Sequence, residues 1–115
     1  MIKGSELLTG CIPNIFTLAQ LLEAKYGTII ITSGFRSPER NKEIGGSPTS
    51  QHCLGKAIDV CVPNVNPVKV AAFVMDQLHT VKGFGLDVFA GYCHFDVRDS
   101  KTNVVWVYDR NGKAI

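Results

Sequence analysis

Residues 50–62 read SQHCLGKAIDVCV, and how that stretch is read decides the fold. From Ala57 onward the side chains alternate in character, which is the period of a β-strand. Ile58, Val60 and Val62 fall on one side, a predicted core face. Ala57, Asp59 and Cys61 fall on the other. His52 stands just before the strand, across a turn at Gly55. A second stretch, YCHFDVR at 92–98, repeats the pattern: Cys93, Phe95 and Val97 form an apolar set, while Tyr92, His94, Asp96 and Arg98 line the opposite face. A merely solvated face favours Lys, Thr and Glu, so this second set of side chains points to a use.

Around these two strands the chain divides readily. PNIFTLAQLLEAKYG (13–27) places Ile15, Leu18, Ala19 and Leu22 on one helical face, with Pro13 or Asn14 to start the helix and Gly27 to end it. TIIITSG (28–34) is a β-branched run that predicts a buried strand. FRSPERNKEIGGSPTSQ (35–51) is rich in Gly, Pro, Ser and charge, so it reads as loop with one helical turn near 38–42. NPVKVAAFVMDQLH (66–79) predicts a second helix, with Pro67 in its first turn and Val70, Ala71, Val74, Met75 and Leu78 inward. GFGLDVF (83–89) and NVVWVYD (103–109) are further strand candidates, and DRNGKAI closes on an Asn-Gly turn. Short connections between the late strands favour antiparallel pairing. The expected architecture is α+β, with helices packed on one face of a mainly antiparallel sheet.

Composition narrows the function. A length of 115 residues predicts a single domain spanning 1–115. With 45% hydrophobic and 19% charged residues, the chain has a globular balance. A net charge of +2 without any Lys/Arg run argues against nucleic acid. No apolar run approaches the ~20 residues of a membrane span. The opening MIKGSELLTG lacks the apolar segment of a secretory signal. The four cysteines, at 11, 53, 61 and 93, include no C-x-x-C pair, so they are expected as reduced, mostly buried thiols.

If the strands at 57–62 and 92–98 are neighbours, His52, Asp59 and His94 converge. Two imidazoles and a carboxylate are a ligand set that leaves a catalytic zinc one open position. The plainer reading is a polar strand edge, with Asp59 paired to a lysine, and spacing alone leaves both open. A closed site from Cys53, Cys61 and Cys93 fits poorly, because Cys93 points away from His94 and paired knuckles are missing. A Cys–His nucleophile lacks anything to lower a thiol pKa. His79, at the end of the second helix, reads as structural, since a cation is favoured there without any metal.

Three motifs in order carry a family resemblance. SGFRSPERN (33–41), GGSPTSQHCLGKAIDV (45–60) and GYCHFDVR (91–98) resemble the zinc peptidases of the D-Ala-D-Ala carboxypeptidase group. That group includes murein endopeptidases and phage endolysins, and it shares a metal-site fold with the Hedgehog signalling domain. The signature S-x-H-x-x-G-x-A-x-D is present in full as Ser50, His52, Gly55, Ala57 and Asp59, and the likeness covers roughly residues 28–98. It implies zinc held by His52, Asp59 and His94. It implies that Arg36 holds substrate or stabilises an oxyanion, and that Ser50 contacts substrate or orients the first histidine. The implied activity is hydrolysis of peptide bonds in peptidoglycan stem peptides. The protein is expected to be a monomer that engages neither nucleic acid nor membrane, and the lack of a visible signal fits release to the wall through a holin or as part of a virion.

One departure matters. Several branches carry a carboxylate base three residues before the last histidine, where this chain has Gly91, and others place a histidine where it has Tyr92. Asp96 shares the strand face of His94 and can serve as base or as a brace for a ligand. Tyr92 can contact substrate or share the proton transfer, and Asp87 is a weaker candidate. The empty position also admits a second function, a non-catalytic module that keeps zinc for stability and binds cell wall or protein.

Overall fold

The computed structural model describes residues 1–115. Two helices cover one face of a six-stranded sheet. Helix α1 (Pro13–Tyr26) starts on Pro13, whose missing N–H costs nothing at a helix N-terminus. It stops at Gly27, where φ is +83° and the N–H donates to the Glu23 carbonyl at 2.8 Å. Its Ile15, Leu18, Ala19 and Leu22 are all fully buried, as the helical spacing predicts. Helix α3 (Pro67–Gln77) is capped by the Asn66 side chain, which accepts the Val68 N–H at 2.9 Å. Between them lies α2 (Pro38–Glu43), a six-residue helix capped by Ser37.

The strands are β1 (Ile2–Lys3), β2 (Ile29–Ser33), β3 (Ala57–Cys61), β4 (Gly83–Asp87), β5 (Tyr92–Asp96) and β6 (Val104–Val107), arranged in the order β1-β2-β3-β5-β4-β6. The sheet is mixed, which corrects the expectation of a mainly antiparallel one. Its centre, β2-β3-β5-β4, is antiparallel. Each edge is parallel: β1 along β2, and β6 along β4. The cause at the second edge is topological. β5 is already paired on both sides, so the chain after it must cross to the free edge of β4 and arrive running the same way. At the first edge, α1 lies between β1 and β2 in the chain and supplies the crossover that parallel neighbours need.

Ile29, Ile31, Ile58, Val60, Phe84, Leu86, Cys93 and Phe95 face the helices and form the core with Leu18, Leu22, Val70 and Val74. Phe84 and Phe95 meet edge to face, with centroids 5.9 Å apart, across the β4–β5 pair. Every alternate residue of β3 and β5 is thereby sent to the opposite face, away from both large helices. No helix is long and apolar enough to cross a membrane.

Candidate metal centre

The turn before β3 delivers the first imidazole. Gln51–Leu54 form one 3-10 turn. The Ser50 hydroxyl caps it by accepting the His52 N–H at 3.2 Å. Gly55 ends it at φ +68°, and a Cβ there would strike the Gly10 carbonyl, so both backbone and space require glycine. The Arg36 N–H donates to the His52 carbonyl at 3.1 Å and ties this turn to the segment after β2. The His52 ring is buried as a result.

Strand register supplies the other two groups, because β3 and β5 pair Asp59 directly with His94. Asp59 Oδ1 lies 3.3 Å from His52 Nε2 and 3.0 Å from His94 Nδ1. One ligand atom from each of the three residues lies within 4.8 Å of the others. The outward nitrogens are occupied. His52 Nδ1 is 2.8 Å from the Gly34 carbonyl, which can only accept, so Nδ1 carries a proton and Nε2 is the nitrogen turned inward, the one able to offer a lone pair to a metal. His94 Nε2 is 2.7 Å from Asp96 Oδ2, leaving Nδ1 to face Asp59. Imidazoles that ligate metals are held in this way, with the second nitrogen donating to a carbonyl or carboxylate. The donor set therefore fits a metal ion: two oriented imidazole nitrogens and one carboxylate.

Behind the cluster, Asp96 is fully buried with both oxygens engaged. Oδ1 accepts from Arg98 Nε at 2.8 Å and from the Arg98 N–H at 3.2 Å, while Oδ2 accepts from Arg98 Nη2 at 2.8 Å and from His94. Two glycines of β4 make room. A Cβ at Gly83 would collide with the Asp96 carboxylate, and one at Gly85 would sit 2.7 Å from the indole nitrogen of Trp106. The Trp106 and His94 ring centroids are 5.1 Å apart, and the Arg98 guanidinium lies over the indole, 5.0 Å from its centroid.

The electrostatics follow from this packing. Burial pushes the Asp59 pKa up, but hydrogen bonds and charge from His52 and His94 outweigh it and hold the carboxylate at about 2. Burial likewise opposes ionisation of Asp96, yet Arg98 and His94 keep it well below the usual carboxylate range. Burial disfavours a charged His94, and Asp59 and Asp96 together reverse that and raise its pKa.

The cluster lies in an open cleft of about 900 Å3. Arg36, Ser50 and Tyr92, picked out from the sequence, line the cleft together with His52, Asp59 and His94. The Arg36 Nε is buried without a hydrogen-bond partner. Asp59 is the one carboxylate in the lining. Asp96 stands behind His94, outside that lining. Asp87 is buried in the β4–β5 turn, where its Oδ1 accepts the N–H groups of Phe89 and Ala90 at 3.1 and 2.8 Å. Gly91, at φ +81°, completes that turn. His79 is exposed and 3.3 Å from the Asp76 carbonyl. All four cysteines are free thiols and none joins the cluster; Cys93 packs in the core.

Arg98, Trp106 and Tyr108 also line the cleft, and the sequence reading gives them no role. The alternation of NVVWVYD, with Trp106 and Tyr108 two apart, was the available signal. So was Gly83-x-Gly85, a pair of small residues on one strand face.

A buried, braced His–Asp–His set in an open cleft is the kind of centre used by metal-dependent hydrolases. A family model described as Peptidase M15 matches residues 3–96, and the chain belongs to that family. Neither the curated proteins nor the solved structures yield a match.

Proposed function

We propose that this protein is a zinc-dependent peptidase that hydrolyses peptide bonds in bacterial peptidoglycan, with His52, Asp59 and His94 as the ligands. The observation that carries the reading is the convergence of those three donors on one point, with the outer nitrogen of each imidazole already held. Bound there, zinc supplies a Lewis acid that activates water and polarises a scissile carbonyl. The chain's own residues do the rest. Gly34 and Asp96 fix the imidazole tautomers. Ser50 holds the turn that carries His52. The guanidinium of Arg36, with Nε unpartnered, offers paired donors to a substrate carboxylate or to the carbonyl oxygen as charge develops on it. Stem peptides carry free carboxylates, which suit that donor. Asp96, with both oxygens engaged, acts through His94 and is a positioning residue in this reading.

One observation favours a second reading. Apart from Asp59, no carboxylate lines the cleft, so a base of the usual kind is missing and a non-catalytic zinc-stabilised wall-binding module fits that feature. Digestion of purified murein separates the two. The zinc-loaded protein is expected to release stem-peptide fragments, identified by mass, with release stopped by a chelator and restored by zinc. Binding to murein with no new fragments would favour the module.

A further inference from the structure

The strand that completes the cleft lies outside the family match. Residues 3–96 are matched, whereas Trp106 and Tyr108 belong to β6 and the residue just after it. Both line the cleft. Tyr108 is firmly placed. Its N–H donates to the Leu86 carbonyl at 3.1 Å, and the chain beyond it folds back so that Tyr108 bridges Ala114. That return is closed by Asp109, whose Oδ1 accepts the N–H groups of Asn111 and Lys113 at 2.8 and 2.9 Å.

Proton accounting then fixes what the Tyr108 hydroxyl can do. Trp106 Nε1 is 2.8 Å from it, and an indole N–H can only donate. The Tyr108 oxygen must therefore accept, and its own proton is left for another partner. The Tyr92 ring lies 5.9 Å away and tilted at 37°. No protein acceptor takes the Tyr108 proton, so it is free for a group in the cleft. Burial, with the nearby negative charge of Asp59, keeps this phenol protonated.

We infer that Tyr108, oriented by Trp106, is a catalytic hydrogen-bond donor to the scissile carbonyl oxygen, acting beside Arg36 and supplied by a strand beyond the family core. This rests on the peptidase reading above. A donor held in place before substrate arrives is the arrangement that stabilises developing charge most effectively. It also gives β6 a function other than closing the sheet, since Trp106 both packs on His94 and aims Tyr108.

The test compares wild type with Tyr108→Phe, which keeps the ring and removes only the hydroxyl. Two readouts are taken on zinc-loaded protein: steady-state kinetics on soluble muropeptides, and calorimetric binding of a phosphinate pseudo-dipeptide, which mimics the tetrahedral geometry. The expected result is a kcat lower by about 100-fold with KM little changed. A matching loss of phosphinate affinity is expected, with zinc content and melting temperature unaltered. Unchanged kcat and phosphinate affinity would overturn the inference. So would a rise in KM alone, which marks uniform binding, or loss of zinc from the folded variant, which marks a structural role. If the wild-type protein itself neither cleaves muropeptides nor binds the phosphinate, the peptidase reading falls and this inference falls with it.

Discussion

The two faces of the central sheet are made by the same strands, and they are stabilised by opposite means. On the helix side, Ile58, Val60, Phe84 and Phe95 are buried by shape alone, with nothing polar to satisfy. On the cleft side, His52, His94 and Asp96 are nearly as buried, and each is tolerated only because specific partners meet its hydrogen-bonding groups. The chain Gly34–His52–Asp59–His94–Asp96–Arg98 is continuous at hydrogen-bonding or ion-pairing distance. One face thus depends on volume and the other on pairing. The lesson is that burial by itself does not separate core from site, whereas the way the burial is compensated does.

Substitutions on each face should separate these two modes of failure. The largest effect is expected from the ligands. His52→Ala, Asp59→Ala and His94→Ala should each abolish stoichiometric zinc, read by metal analysis after gel filtration, with activity lost in step. Phe95→Ala, one position from His94 but on the other face, should do the reverse. It should cost about 3–5 kcal/mol in urea unfolding, while the folded protein still takes up one zinc. If Phe95→Ala loses its metal while folded, the two faces are not independent.

A smaller effect is expected one step back from the metal. Asp96→Asn should weaken zinc binding by about 10–100-fold, with activity recovered in excess zinc. A folded variant that binds zinc normally and yet loses turnover would instead make Asp96 the base. The smallest effect is the pH dependence of the metal-free protein. Asp59 is held at about 2, below its ordinary 3.8, so its contribution to stability is present above pH 3.8 and fades as pH falls toward 2. His94 is raised above 6.5, so its contribution is complete below pH 6.5 and is lost as pH rises through the raised value. The urea midpoint of the metal-free protein should therefore be highest between these limits, and zinc should remove the alkaline decline. A midpoint that climbs steadily from pH 5 to 9 without metal would contradict the assigned partners of His94.

What the sequence made legible follows from range. The alternation in AIDVCV and YCHFDVR is local, so it correctly divides Ile58 from Asp59 and Phe95 from His94 before any pairing is known. Helices α1 and α3 are legible for the same reason, with a 3.6-residue period and a proline or asparagine at the start. Registers and crossovers are not local. Nothing in NVVWVYD states that it will lie parallel to β4 and bring Trp106 over Gly85, because that depends on β3 having taken the other side of β5. The bracing of His94 by Asp96 and Arg98 lies between these cases. The shared face was readable, but the space left by Gly83 was visible only once β4 and β5 were paired.

In the proposed site the metal sits on the cleft face, held by two imidazoles and a carboxylate and by no cysteine. Zinc K-edge X-ray absorption on the protein loaded with one equivalent tests this most directly. The expected spectrum has a first shell of nitrogen and oxygen only, at about 2.0–2.2 Å, with the outer-shell scattering of two imidazole rings. A sulfur shell near ~2.3 Å would contradict it and move the metal to the cysteines.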